Sequence, residues 1–194
     1  NQGNLYVSLH DHALMNVTDS YLMLKETEWM FDFHCEGHFT NTQIDMFYSH
    51  WTNVNYSSVI FDGGSLNSVK SGFEIQSGSS ATMNNNDLRL YDNSNIEIER
   101  INPSAEQPQL TLNCTSLVLQ DYGTRISLMD GKIIVPNNKI ISPEHPFGAT
   151  GYIHFGSGSN NKIELGNNAI LKLHNGGNDA PMVVVDPEST GYIQ

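Results

Sequence analysis

The chain has 194 residues, enough for one sizeable core or one segment of a repeat protein. Acidic residues outnumber Lys and Arg by 21 to 9, and the formal net charge is −12. This balance excludes a nucleic-acid backbone as the expected partner, because few cations are available to replace the counterions of the phosphates. No apolar run approaches the about 18 residues of a membrane span, so we expect none in this segment.

Short stretches of alternating apolar and polar residues recur along the whole chain, and none shows sustained helical spacing. In chain order, the clearest predicted strands are 5–9, 96–98, 110–112, 126–128, 133–135, 152–155, 163–165 and 183–185. Clusters of Asn, Asp, Gly and Ser separate the strands and indicate turns, for example at 62–65, 84–87 and 92–95. Short strands between frequent turns are typical of a sandwich, a barrel or a β-solenoid.

An Asn recurs at one offset before successive strands, and this repeat favours the solenoid. The residues are Asn16, Asn41, Asn53, Asn85 and Asn113. In a parallel coil, equivalent positions stack about 4.8 Å apart, so a buried corner Asn can bond to those above and below it. Asn also tolerates the left-handed backbone of a tight corner. We therefore predict five structural corner residues, although the step from Asn41 to Asn53 is too short for one coil.

The predicted fold is all-β, a right-handed parallel β-helix (β-solenoid) with about three strands per coil and roughly seven coils. We expect residues 1–194 to form a single solenoid segment cut from a longer protein. Prolines mark two predicted loops, at 102–108 and 142–148, and loops on such a scaffold are the usual binding positions.

The chain resembles a known family of surface proteins in the texture of its sequence. Three features support this resemblance: the apolar-x-Asn units, the Gly-Gly turn of 61–66 and the alternating segment 162–173. In these features it is similar to autotransporter passenger domains and, more loosely, to polymorphic outer-membrane proteins. It departs from the latter because Ser65 or Asn178, rather than Ala-Ile, follows Gly-Gly.

The resemblance implies a non-catalytic extracellular adhesin or display segment of a large surface or secreted protein. Its expected partners are a host surface molecule or glycan, or sister chains, and its expected location is the cell surface or the extracellular space. No cofactor is expected.

Histidines are concentrated near the N-terminus, where five of the eight lie: His10, His12, His34, His38 and His50. If Leu9 stacks on Phe33, then His10 lies over His34, and imidazole with carboxylate suits Zn²⁺ or Ni²⁺. A flat solenoid face offers a row of ligands rather than a tetrahedral cage, so we expect a solvated polar face and no tight metal site.

Two other functions remain open. Parallel β-helices include polysaccharide-active proteins of the tailspike or lyase kind, and a hydrolase needs two carboxylates about 5 to 9.5 Å apart. Asp32, Asp45, Glu97 and Glu99 alternate outward from predicted strands, so stacked pairs are conceivable. Lys and Arg, which a lyase would use, are scarce. The other alternative is a structural filament subunit, assembled through the open strand edges of a solenoid.

The remaining residues of interest have simpler interpretations. Cys35 and Cys114 do not have the spacing of a disulfide framework or a zinc motif, and we expect two buried small side chains. Sequons begin at Asn16, Asn55 and Asn113, and only Asn55 is expected to be exposed.

Overall fold

The computed structural model describes residues 5–121, 123–141, 151–158, 160–172 and 183–194. Within these ranges all regular structure is β, and no described segment forms a helix that could cross a membrane. The first twelve strands are β1 (Leu5–Leu9), β2 (Leu14–Thr18), β3 (Tyr21–Lys25), β4 (Thr27–Phe31), β5 (Glu36–Thr40), β6 (Gln43–Phe47), β7 (His50–Asn53), β8 (Ser58–Asp62), β9 (Ser65–Val69), β10 (Gly72–Gln76), β11 (Ser80–Asn84) and β12 (Asp87–Tyr91). The others are β13 (Asn95–Glu99), β14 (Gln109–Asn113), β15 (Ser116–Leu119), β16 (Arg125–Met129), β17 (Lys132–Val135), β18 (Ile140–Ile141), β19 (Tyr152–Phe155), β20 (Asn161–Leu165), β21 (Ile170–Leu171), β22 (Val183–Val185) and β23 (Gly191–Ile193).

The strands stack into parallel sheets that form the sides of a β-solenoid. Every third strand, from β1 to β22, forms sheet A, and the series from β2 to β23 forms sheet B, with eight strands in each. Sheet C has five strands, β3, β6, β9, β12 and β15, and β18 pairs with β21 in a separate sheet. All pairs are parallel, so the prediction of an all-β parallel solenoid is confirmed.

The coils of the N-terminal part of the chain have one constant length. Leu5 pairs with Thr27 in sheet A, and Tyr21 pairs with Gln43 in sheet C. The step lengthens later, since Ser80 pairs with Gln109 and Lys132 with Lys162. The extra residues lie between strands. Residues 100–108 connect β13 to β14 and include the loop predicted at 102–108. The other predicted loop, 142–148, lies outside the described residues.

The core is a set of columns in which alternate residues of each strand point inward, because side chains alternate across a strand. Trp51 is fully buried, and its ring stacks nearly parallel on Phe31 at 5.4 Å between centroids. From β13 onward the same columns of sheet A become mainly aliphatic, with Ile98 and Leu128 fully buried. Both cysteines are buried and free, and burial raises the pKa of the Cys114 thiol to about 11.

Three corners join the sheets, and each uses left-handed backbone. Corner 1 connects sheet A to sheet B, corner 2 connects B to C, and corner 3 connects C back to A. Corner 2 has Asp19, Asn41, Gly63 and Asn85 at φ between 48° and 74°. Gly, Asn and Asp adopt this conformation most readily, which explains why they occupy corner 2.

Buried hydroxyl groups hold successive corners together. At corner 3 the backbone N–H of Thr27 donates to Ser49 Oγ at 3.2 Å, and that of Ser49 donates to Ser71 Oγ at 3.0 Å. The N–H of Ser71 donates to Ser94 Oγ at 3.2 Å. The hydroxyls of Ser49, Ser71 and Ser94 therefore each satisfy a buried amide on the coil before. We call Thr27, Ser49, Ser71 and Ser94 the hydroxyl ladder.

Candidate functional site

The five predicted corner asparagines occupy different places. Asn41 and Asn85 lie at corner 2 with φ of 48° and 49°, and both are exposed. Asn41 Nδ2 donates to Asp19 Oδ1, its neighbour in the corner column, at 3.2 Å. Asn16 lies within β2 and is exposed.

The other two asparagines end strands. Asn53 is fully buried, and its Oδ1 accepts a hydrogen bond from Trp51 Nε1 at 3.0 Å. Asn113 Nδ2 donates to Asn84 Oδ1 one coil earlier, at 3.1 Å, so a cross-coil amide contact exists outside the corner. The buried residues that link corner 3 are instead the hydroxyl ladder, whose sequence signal was a Ser or Thr recurring once in every coil at the same place.

Two of the N-terminal histidines, His12 and His34, stack on each other, in a different register from the expected one. Leu9 pairs with Phe31, not with Phe33, because the coil is shorter than the expected stacking requires. The stacking of His10 over His34 was therefore wrong: His12 stacks on His34, with ring centroids 5.1 Å apart. In the described ranges, no three His, Cys, Asp or Glu side chains converge as metal ligands.

His10 and the acidic residues around it are already engaged in contacts. His10 Nδ1 lies 3.3 Å from Asp32 Oδ2, and Asn55 Nδ2 donates to the other Asp32 oxygen at 2.6 Å. Asp45, on sheet C, accepts hydrogen bonds from Tyr21 Oη at 2.9 Å and Asn67 Nδ2 at 2.7 Å. Of the four acids singled out from sequence, Asp32 and Asp45 thus serve cross-coil contacts.

A shallow groove opens on the outer face of sheet A, beside corner 3. It exists because Gly72 has no side chain and lies between His50 and Asn95 in an outward column. A Cβ atom at Gly72 would lie 2.7 Å from His50 Nδ1, so a side chain at this position would displace the His50 ring. The groove has a volume of about 360 Å³, and its lining includes Glu28, Tyr48, His50, Lys70, Gly72 and Asn95.

The groove carries both donors and acceptors of hydrogen bonds. The Tyr48 ring is exposed, and Lys70 Nζ lies 5.5 Å from its centroid and 3.2 Å from Asp92 Oδ2. The hydrogen bond with Asp92, followed by that with Tyr48, raises the pKa of Lys70, which therefore stays charged. This set of an aromatic ring, an amide, an imidazole and two opposite charges can bind a polyhydroxyl ligand.

Two glutamates lie next to the groove on neighbouring coils. Glu74 and Glu97 pair in register, and His50 Nε2 lies 3.1 Å from Glu74 Oε1. The hydrogen bond raises the pKa of His50 and lowers that of Glu74. Burial, followed by the charges of Glu74 and Glu99, raises the pKa of Glu97. The sequence pattern singled out Glu97 and His50 but not Glu74 or Gly72, because only the register between coils brings these residues to one face.

No family model, curated protein or solved structure matches this chain.

Proposed function

We propose that this chain is a non-catalytic adhesin or display segment of a surface or secreted protein, and that the groove over Gly72 contacts a glycan. The observation that carries the proposal is the groove itself: it is open and lies on the side of a continuously hydrogen-bonded rod. An open site on a rigid side face suits a ligand that is part of a larger surface, because the surface need not enter a cavity. The imidazole, amide, carboxylate and ammonium groups match the mixed donors and acceptors of sugar hydroxyls.

Binding of the purified chain to a printed glycan array tests the proposal. Gly72→Asn fills the groove and displaces the His50 ring, while the strand backbone at Gly72 needs no positive φ. We therefore expect at least a tenfold loss of affinity for the glycan that binds. Ser80→Asn is the matched control, because Ser80 is an outward residue at the start of the neighbouring strand in the same coil. Absence of binding across the array, or binding that Gly72→Asn leaves intact, would overturn the proposal.

Polysaccharide cleavage is the second candidate, and one observation favours it. Glu74 and Glu97 are adjacent carboxyl groups whose pKa values move in opposite directions. A carboxyl group with a raised pKa suits the role of acid, and one with a lowered pKa suits the role of base or nucleophile. Neighbouring strands lie about 4.8 Å apart, the short spacing of a retaining pair. Glu97 would protonate the leaving oxygen while ionised Glu74 attacks the anomeric carbon, and water, deprotonated by Glu97, would then hydrolyse the resulting glycosyl ester.

Release of reducing ends from a panel of soluble polysaccharides tests this candidate. If it is right, Glu97→Gln and Glu74→Gln each abolish release, while Glu36→Gln, at the exposed start of β5 in sheet B, does not. Absence of release by the wild-type chain, or release that survives Glu97→Gln, rejects the candidate and leaves the adhesin proposal unaffected.

A further inference from the structure

Tyr6, Ser8 and His10 share the outer face of sheet A at its first strand. Residues two apart in a strand project to the same side, and the contacts agree with this, since Ser8 Oγ lies within hydrogen-bond distance of His10 Nε2. The other ring nitrogen, Nδ1, lies 3.3 Å from Asp32 Oδ2. An imidazole with a hydroxyl at one nitrogen and a carboxylate at the other is the arrangement that activates a serine as a nucleophile.

Exposure and hydrogen bonding suit these residues to different roles. Only 13% of the Asp32 side chain is exposed, whereas 51% of the His10 side chain is exposed. Asn55 Nδ2 donates to Asp32 Oδ1 at 2.6 Å, which fixes the carboxylate from the next coil. The carboxylate therefore keeps a proton on His10 Nδ1 and leaves Nε2 able to accept the proton of Ser8. Ser8 is partly exposed, so a substrate can approach its hydroxyl from the outer face.

The Tyr6 hydroxyl supplies a hydrogen-bond donor beside Ser8. Tyr6 pairs with Glu28, but its Oη reaches across and donates to Met30 Sδ at 3.7 Å. Met30 is the register partner of Ser8, so the phenol hydroxyl leans toward the column of the serine. A thioether is a weak acceptor, and this O–H can turn to a stronger one. The oxyanion that forms when a serine attacks a carbonyl group is such an acceptor.

We propose that Ser8 is the nucleophile of an esterase site whose substrate is a short acyl ester of a glycan. Ser8 Oγ attacks the carbonyl carbon while His10 Nε2 takes the hydroxyl proton, and the Tyr6 hydroxyl stabilises the oxyanion. The bond to the sugar oxygen then breaks, and His10 gives its proton to that oxygen. Water attacks the resulting acyl-serine with His10 again as base, which releases the carboxylic acid and restores Ser8. Water is the only co-reactant.

The position of Ser8 relative to the groove indicates the substrate. In one outward column of sheet A, Tyr6 is followed by Glu28, His50 and Gly72, one residue per coil. Glu28 lines the groove, and three coils span about 14 Å, so a polysaccharide lying along the rod can occupy the groove and reach Ser8. The open sheet face suits an acyl group as small as acetyl. The ester chemistry goes beyond binding at the groove, whereas the choice of a glycan rests on the function proposed above.

Labelling with a fluorophosphonate, located by peptide mass spectrometry, tests the nucleophile. Ser8 should react, and His10→Ala and Asp32→Asn should each slow its labelling at least tenfold. Asp32 acts through His10 as a positioning residue, so its variant should lose reactivity while circular dichroism still shows the folded chain. His12→Ala is the matched control, because His12 is an exposed neighbour that stacks on His34. This variant should label as wild type does.

A second serine of the same chain provides an internal control. Ser127 Oγ lies 3.4 Å from His154 Nδ1, and His154 Nε2 lies 3.0 Å from Asp186 Oδ1. Ser127 is only 3% exposed, however, so it should remain unlabelled. Labelling of Ser127 as fast as that of Ser8, or labelling of Ser8 that His10→Ala leaves unchanged, would overturn the proposal.

Turnover of p-nitrophenyl acetate, and acetate release from a panel of O-acetylated polysaccharides, test the reaction and its substrate. Ser8→Ala should lower both at least tenfold, and Tyr6→Phe, which removes only the hydroxyl, should lower both as well. Gly72→Asn should lower release from the polysaccharide at least tenfold, because the groove holds the polymer. Absence of both activities would reject the esterase and leave glycan binding at the groove unaffected. Turnover of p-nitrophenyl acetate without release from any polysaccharide would reject the glycan ester as substrate.

Discussion

The N-terminal and C-terminal parts of the solenoid follow different rules at their corners. Through β9 the coils keep one constant length, and sheets A, B and C all continue from one coil to the next. After β10 the steps lengthen, and among the described residues sheet C ends at β15. Sheets A and B nevertheless keep their ladders unbroken, since Ile98 pairs with Leu128 and Leu128 with Phe155.

This difference shows that the core depends on strand register and not on coil length. Inserted residues form loops that project from the corners. There the entropy lost in closing a longer loop is small, and the side chains are solvated. The longer coils interrupt the hydroxyl ladder, whose hydrogen bonds are regular from Thr27 to Ser94. At the next coil the buried Thr124 Oγ1 has no hydrogen-bond partner among the described residues. The ladder ends where the coil lengthens.

Removing the central aromatic side chain of the short coils should cause the largest loss of stability. Trp51→Ala should lower the free energy of unfolding by about 3–5 kcal/mol, because it leaves a large cavity among Phe31, Phe39 and Phe73. Ile126→Ala, at the equivalent position of the same column in the long coils, should cost about 2–4 kcal/mol. Urea unfolding followed by circular dichroism measures both. Equal losses would show that the aromatic stack does not stabilise the short coils more than aliphatic packing stabilises the long ones.

Breaking the hydroxyl ladder should have the next largest effect. Ser71→Ala removes the acceptor of the buried Ser49 N–H and should cost about 1–3 kcal/mol. Ser58→Ala, on the outer face of sheet B, should stay within about 0.5 kcal/mol of wild type. Thermal melting compares the two. If the two variants melt alike, the ladder is not what holds the short coils together.

Relieving the backbone at corner 3 should stabilise the chain. Glu26 has φ of 53° and is exposed, so Glu26→Asn should add up to about 1 kcal/mol. The control is Glu36→Asn, because Glu36 is exposed within β5 and lacks positive φ. Chemical unfolding of both variants checks the sign: a loss of stability in Glu26→Asn would show that the corner prefers its present residue.

The contribution of His50, at the groove, to the pH dependence of stability should be the smallest of these effects. The hydrogen bond with Glu74 raises the pKa of His50 above its ordinary value of 6.5. The folded state therefore binds this proton more tightly, and the resulting stability is complete below the ordinary pKa and is lost as pH rises through the higher folded pKa. Exposure of His50 keeps the effect small.

Melting of wild type and His50→Gln across mildly acidic to mildly alkaline pH measures this contribution. The advantage of wild type should shrink as pH rises, and Glu74→Gln should remove the same dependence. The lowered pKa of Glu74 acts in a separate window, because its stability is present above pH 4.5 and lost as pH falls through the folded pKa. An advantage of wild type that grows with pH would contradict the His50–Glu74 contact.

The sequence by itself determined the fold class of this protein. Alternation of apolar and polar residues with a period of two requires strands, and the dense turn residues keep those strands short. Recurrence of one unit favours stacking over hairpins, and the parallel sheets confirm it. The acidic residues and histidines of interest could be named, but not their neighbours.

Only the tertiary structure decided which of those side chains meet. A coil shorter than the expected one places His12, not His10, on His34 and puts Phe31 rather than Phe33 beneath Leu9. The register of the next coils brings Glu97 beside Glu74, and a missing side chain at Gly72 opens the groove. Short-range patterns specify the conformation of each strand, whereas the length of a coil is a sum over its strands and corners. Contacts between coils therefore depend on every residue inserted between them.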